Sequence, residues 1–275
     1  MNRPSIWRVL CIAAAALAPV TAASARALPT AIRTFVSALG NDGNTSVSCP
    51  RTKPCRTLAA AYTVTGKGGE IIALDPADYG PIAITGPVSL FGTNDALIGV
   101  ASKGTGVTIA AVAADRVVIR DFIITGAGAA NTKGIELKSG QLVLLHSTLK
   151  QLSTGLDVAN AKADLVYVDV IDNDIGVSTT GTGVDTNSAS FTGPTQVRMA
   201  WGSAIGNTTA YLMHDPGTGM GGNKITILEF LTSNTTAAYS TDVTGNATLI
   251  AGTGPSCGGS NCQSLGYYSS YTNPK

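Results

Sequence analysis

Between residues 115 and 192 apolar and polar positions alternate in short runs that come back again and again. Residues 117–124 (VVIRDFII), 142–149 (LVLLHSTL) and 165–172 (LVYVDVID) are copies of one run rich in Val, Ile and Leu, and residues 184–191 are a weaker fourth copy. Each of the first three leads to a glycine and a second short run: Gly134 with IEL, Gly155 with LDV and Gly176 with VST, the glycines being evenly spaced. Alternation at period two predicts strands. Self-similarity at a period of about 20 to 50 residues predicts a solenoid, in which each unit buries its apolar face only by stacking on the next.

The same grammar extends outward. Residues 70–75, 81–85, 88–91, 96–100 and 107–111 are short runs, largely apolar or β-branched, closed by Gly, Pro, Asn or Asp, and supply the first coils. The connection 126–133 (GAGAANTK) is longer than its counterparts, and insertions on such scaffolds gather on one face, often the binding face. From 193 to 222 the alignment blurs; residues 225–230 restore a strand pattern, 247–250 form a last strand, and the chain from Gly252 reads as irregular. Thr57 is placed to cap a short helix with Leu58, Ala61 and Tyr62 on one face, stopped by Gly66, Gly68 and Gly69. A leucine-rich repeat shares this period, and residues 149–160 imitate its consensus. Residues 171–179 (IDNDIGVST) break it, having neither its leucines nor a helical stripe.

Composition narrows the functional classes. Charged residues are 13% of the 275, against about 25% in ordinary soluble domains, and the net charge is +1. No field strong enough to recruit nucleic acid or an acidic membrane surface follows from this. Arg3 and Arg8, the apolar stretch 9–20 and the small residues around Ala25 and Ala27 form an export signal, with cleavage near Ala25 or Ala27. The apolar stretch is shorter than the about 20 residues of a spanning helix. Beyond the signal, Cys49 and Cys55 form one local pair and Cys257 and Cys262 another. An oxidising compartment favours disulfides over a metal site, whose usual spacing is tighter.

The runs TFVSALGNDGN (34–44), CPRTKPCRTLAAAY (49–62) and GGEIIALDPADYGPIAI (68–84) resemble the N-terminal region of exported bacterial right-handed parallel β-helix proteins of the pectate-lyase-like superfamily. The resemblance implies an all-β fold: a signal peptide (1–27), an N-terminal cap with a disulfide loop and capping helix (28–69), a right-handed parallel β-helix (70–251) and an irregular C-terminal tail (252–275). It implies little about activity, because lyases, hydrolases, esterases and adhesins share the scaffold. Neither the acidic calcium ligands of its lyases nor the aspartate motifs of its hydrolases can be matched residue by residue.

Stacked parallel strands set equivalent residues about 4.8 Å apart. Aligning Ile119, Leu144, Tyr167 and Thr186 as inward positions puts Arg120, Leu145, Val168 and Asn187 in one column and Asp121, His146, Asp169 and Ser188 in the next. A histidine between two carboxylates is a basis for general acid/base chemistry on a sugar, with Arg120 or Lys133 to hold a substrate carboxylate. The commoner use of such residues at a bend is a polar ladder bonded to nearby backbone. Asp172 and Asp174 offer part of the 6 to 8 oxygens that Ca²⁺ takes, without the rest of a known loop; no other cofactor is implied. His214 and Asp215 are a second, loop-borne pair. Trp201 and the tail tyrosines are candidates for stacking on sugar rings, although packing is the commoner use.

The expectation is therefore an exported, monomeric protein, secreted, periplasmic or at the cell surface, with a binding or structural role and contact to polysaccharide. The alternative is a polysaccharide lyase or glycoside hydrolase acting on an extended acidic glycan through Asp121, His146 and Asp169. Sequence alone leaves catalysis open.

Overall fold

The computed structural model describes residues 30–180, 195–213, 224–233, 237–241, 248–251 and 262–264. The expected signal peptide, the fourth repeat at 184–191, Cys257 and the His214–Asp215 pair lie outside them. The described residues are mostly parallel β-structure arranged as two large sheets.

The first sheet runs through Ala31–Val36, Thr65–Ala73, Val88–Gly99, Arg116–Thr125, Gln141–Leu145, Lys162–Val166, Gln196–Ile205, Lys224–Ser233, Thr248–Ala251 and Cys262–Ser264. The short strands Thr148–Lys150 and Asp169–Ile171 continue two of its turns. The second sheet stacks Ile82–Ile84, Thr105–Ala110, Lys133–Ser139, Thr154–Val158, Ile175–Thr179, Thr209–Met213 and Ala237–Thr241. From Thr65 onward, through Ala237–Thr241, the chain crosses from one sheet to the other and back, so each turn lays its strands on the turn before. This is compatible with a parallel β-helix.

The interior consists of files of stacked apolar side chains. On the first sheet Leu90, Ile119, Leu144, Leu165 and Met199 are paired neighbour to neighbour and buried. On the second, Val107, Ile135, Leu156, Val177 and Tyr211 do the same. The evenly spaced glycines form a further file: a Cβ on Gly134 would stand 2.5 Å from the Gly155 carbonyl oxygen, and one on Gly155 2.6 Å from that of Gly176. One buried polar file, of asparagines, bonds from turn to turn. Asn207 Oδ1 accepts the Asn173 N–H at 3.0 Å and Asn173 Nδ2 at 2.9 Å, while Asn173 Oδ1 accepts the Leu152 N–H at 3.0 Å.

Three expectations need correcting. The opening strand of the segment expected to form the cap, Ala31–Val36, is itself the outermost described strand of the first sheet, and the next strand begins at Thr65, not at residue 70. Residues 196–213, which could not be aligned, lie in register in both sheets. Within the tail expected to be irregular, Cys262–Ser264 pairs with Thr248–Ala251.

The helix Leu58–Val64 is capped by Thr57, whose hydroxyl accepts the Ala60 N–H at 3.1 Å, and buries Leu58, Ala61 and Val64. Along the chain it falls between two first-sheet strands, where later turns lay a strand of the second sheet. The Cys49–Cys55 disulfide closes the loop beside it. That loop hydrogen-bonds along the edge of Ala31–Val36: Phe35 N–H donates to Cys49 O at 2.9 Å, Cys55 N–H to Phe35 O at 2.9 Å, and Ser37 N–H to Cys55 O at 3.0 Å. It thereby occupies part of an edge that would otherwise be open to pairing.

Asp75 ties this region to the first full turn, accepting from Ser37 Oγ at 2.6 Å, Tyr79 Oη at 2.7 Å and the Ala38 N–H at 2.8 Å. Burial by itself pushes its carboxyl up, but these hydrogen bonds, with the nearby Arg56 charge, outweigh it and hold the carboxyl below its ordinary value. A folded-state pKa that is depressed stabilises the protein above the unfolded value, about 4, and the gain is lost as pH falls through the folded one. Asp75→Asn is therefore expected to lower the thermal midpoint at pH 7, and the gap to the wild-type chain should close as the pH is taken below about 4.

Candidate functional site

The site begins with a local break in the strand pattern. In Arg116–Thr125 inward positions alternate up to Ile119, then Arg120 and Asp121 both stay outside before Phe122 turns in. Asp121 has φ 61°, a left-handed backbone that turns the strand without inserting a loop. The same break recurs at His146 (φ 45°), Tyr167 (φ 54°) and Trp201 (φ 51°), each following a paired column of Arg120, Leu145, Val166 and Ala200. A bend line thus runs across successive turns of the first sheet, carrying Asp121, His146, Tyr167 and Trp201 in order.

The rings on this line stack. His146 and Tyr167 have centroids 4.9 Å apart with planes 20° from parallel, and Tyr167 and Trp201 are 5.6 Å apart at 22°. Tyr167 and Trp201 are nonetheless 51% and 50% exposed. Stacking turns ring faces on one another while about half of each of these two residues stays open to solvent. Beside the file, Leu145, Val166 and Ala200 give the outer wall a partly exposed apolar strip.

One groove, of about 430 Å³, opens at the Asp121 end of the line, and Asp121, His146 and Thr148 help to line it. Its far wall exists because residues 92–95 stand opposite Asp121 alone, between the pairs Phe91 with Arg120 and Ala96 with Phe122. Gly92 sits so close to the Asp121 carbonyl that a side chain there would collide with it.

The expected column was part right. Asp121 and His146 are neighbours across the turns and share the groove. Asp169 is two positions further along, paired with Thr148 and Ser203, and accepts from Ser203 Oγ at 2.6 Å. Tyr167 takes the place assigned to it, and the buried position assigned to Tyr167 belongs to Leu165. Arg120 points along the same wall, but its Nε binds Asp121 Oδ2 at 3.0 Å. Lys133 is on the other sheet, where its Nζ donates to Glu136 Oε1 at 2.7 Å and Asp157 Oδ2 at 2.6 Å. Burial alone would pull this amine down, but the hydrogen bonds and charges of Asp157 and Glu136 outweigh it and raise it. Lys133 is thus built into a surface ion network and lies away from the groove.

Asp172 and Asp174 rim a separate cavity of about 350 Å³ that the long connection at 126–133 helps to line with Gly128 and Asn131. Among the described residues no group of three or more His, Cys, Asp or Glu side chains is placed to hold a metal ion. Asp172 occupies a second bend line, with Gln151 (φ 54°) and Gly206 (φ 71°), and its carboxylate fills the space a side chain on Gly206 would need. Among the described residues no helix is long and apolar enough to cross a membrane. Comparison with protein-family models, with curated proteins and with solved structures finds no match.

Proposed function

We propose that this chain is an exported right-handed parallel β-helix protein, related to the pectate-lyase-like superfamily, that binds an extended polysaccharide along its first sheet. The observation that carries the reading is the half-exposed file of His146, Tyr167 and Trp201, running across the turns beside an apolar strip. Amphipathic rings meet a sugar on both of its characters, C–H surface and hydroxyl. A file that advances by one ring per turn suits a ligand that is itself a chain. The buried Cys49–Cys55 disulfide fits an oxidising destination outside the cytoplasm.

Tyr167→Ala with Trp201→Ala tests this. The double variant is expected to lose at least tenfold in affinity for a retained polysaccharide in affinity electrophoresis. Its thermal midpoint should stay within a few degrees of wild type, since exposed stacking contributes only about 1 kcal/mol per pair. Unchanged retention would remove the file from the binding surface.

A lyase or hydrolase reading keeps one observation in its favour, the shared groove of Asp121 and His146. On that reading His146→Ala abolishes release of unsaturated uronate or reducing ends while unfolding is little changed. Retention of a glycan without any turnover by the wild-type chain decides for binding.

A further inference from the structure

We infer that the track along the ring file is closed at its Asp121 end, so that the protein takes the end of a polysaccharide chain and not a stretch from its middle. The inference rests on the polysaccharide reading above and concerns how the chain lies in that same site. The observation that carries it is the register of successive turns at the bend line. Leu145 pairs with Val166 and Thr148 with Asp169, so His146 and Tyr167 are bracketed by equal numbers of residues. Val166 with Ala200 and Asp169 with Ser203 do the same for Tyr167 and Trp201, and Ala200 with Leu228 and Gly202 with Phe230 carry the line onto the next turn. Through these turns the line runs on without an insertion.

The Asp121 end is different. Phe91 pairs with Arg120 and Ala96 with Phe122, so residues 92–95 stand where one residue would suffice. Asp95 is the counterpart of Asp121: its φ is 65° against 61°, and the buried Ala96 follows it as the buried Phe122 follows Asp121. Residues 92–94 are therefore the insertion. The interior has no room for them, since Leu90 and Ala96 are fully buried in a close-packed core and Gly92 already lies against the Asp121 carbonyl. They are left on the outside, where Thr93 and Asp95 line the groove together with Asp121, His146 and Thr148. Insertions in a repeat gather on the face that binds. A chain that follows the rings from Trp201 to His146 meets this insertion one turn beyond Asp121. To continue it must lift off the wall, and contacts that act only at short range are then lost. A chain that ends in the groove keeps them.

The test is the number of protein molecules bound per sugar chain, read by calorimetry with soluble linear glucan, xylan and galacturonan, each as a hexamer and as a long chain. For a sugar that binds, the wild-type protein is expected to saturate at one per chain at both lengths. Deletion of residues 92–94, checked as folded by its thermal midpoint, leaves Asp95 to continue the line and is expected to raise the number bound per long chain severalfold, with the hexamer unchanged. A wild-type number that grows with chain length would overturn the inference while leaving polysaccharide binding intact, and this comparison stands even where the deletion does not fold. A folded deletion variant still bound once per long chain would also overturn it, because the insertion would then not be what stops the chain. Failure of every sugar to bind would instead overturn the polysaccharide reading itself.

Discussion

Gly155→Val is expected to lower stability by about 3 kcal/mol or more, the upper range for forcing volume into a close-packed interior. Its Cβ would be 2.6 Å from the Gly176 carbonyl oxygen, and the methyl groups would meet Val170 and Asn173, which already lie 3.4 and 3.5 Å from that Cβ. The neighbours cannot all yield, because Asn173 is held in place by its bonds to Asn207 and Leu149. Strain in one turn also passes to the next, since each turn finds its partners only above and below. Gly128→Ala provides the contrast: nothing lies within 4 Å of the added carbon, so only the φ of 77° opposes it, at about 1 kcal/mol. Thermal or urea unfolding of both variants checks the difference. Near-equal losses would show that the glycines do not stack.

Removing the disulfide is the second large effect. Cys49→Ser with Cys55→Ser is expected to cost about 2 to 4 kcal/mol. Both cysteines are fully buried, and the loop they close supplies hydrogen bonds along the edge of Ala31–Val36. Two hydroxyls would replace a buried apolar bridge, and the edge would be freed to pair with another chain. Lower thermal midpoint together with concentration-dependent association by light scattering is the expected pair of results. A variant as stable as the wild-type chain and no more associated would show that the rest of the loop, including the Asp42 carboxylate that accepts the Arg56 and Thr57 N–H groups at 2.8 and 2.9 Å, holds the cover unaided.

The stacking was legible in the chain because the glycines mark it: Gly134, Gly155 and Gly176 stand in register between paired residues of the second sheet, and the runs at 117 and 142 align as they are found. The third run misled because Leu165, Val166, Tyr167 and Val168 are all apolar, so alternation there has no fixed phase. The step that separates the glycines, counted from Leu144, lands on Leu165 and would have set Tyr167 beneath His146. The bend was expected at Asp121 and His146, but its course through Tyr167 and Trp201 was hidden, since left-handed backbone is usually announced by glycine and aromatic residues do not signal it. After Asn173 the step lengthens from 21 residues to 34, and any search at a fixed period loses the register there. The groove was illegible for a related reason: it depends on four residues looping against one, an irregularity no repeat predicts.

One tryptophan allows the central claim to be read directly. Of the two in the sequence, Trp7 falls in the expected signal, so a chain beginning at Leu28 keeps only Trp201, at the end of the ring file. Titrating that chain with a panel of soluble oligosaccharides while following tryptophan emission is expected to give a saturable change for at least one sugar, with an affinity matching calorimetry. Calorimetric binding that leaves the emission unmoved would place the ligand elsewhere on the protein and contradict a polysaccharide lying along Asp121, His146, Tyr167 and Trp201.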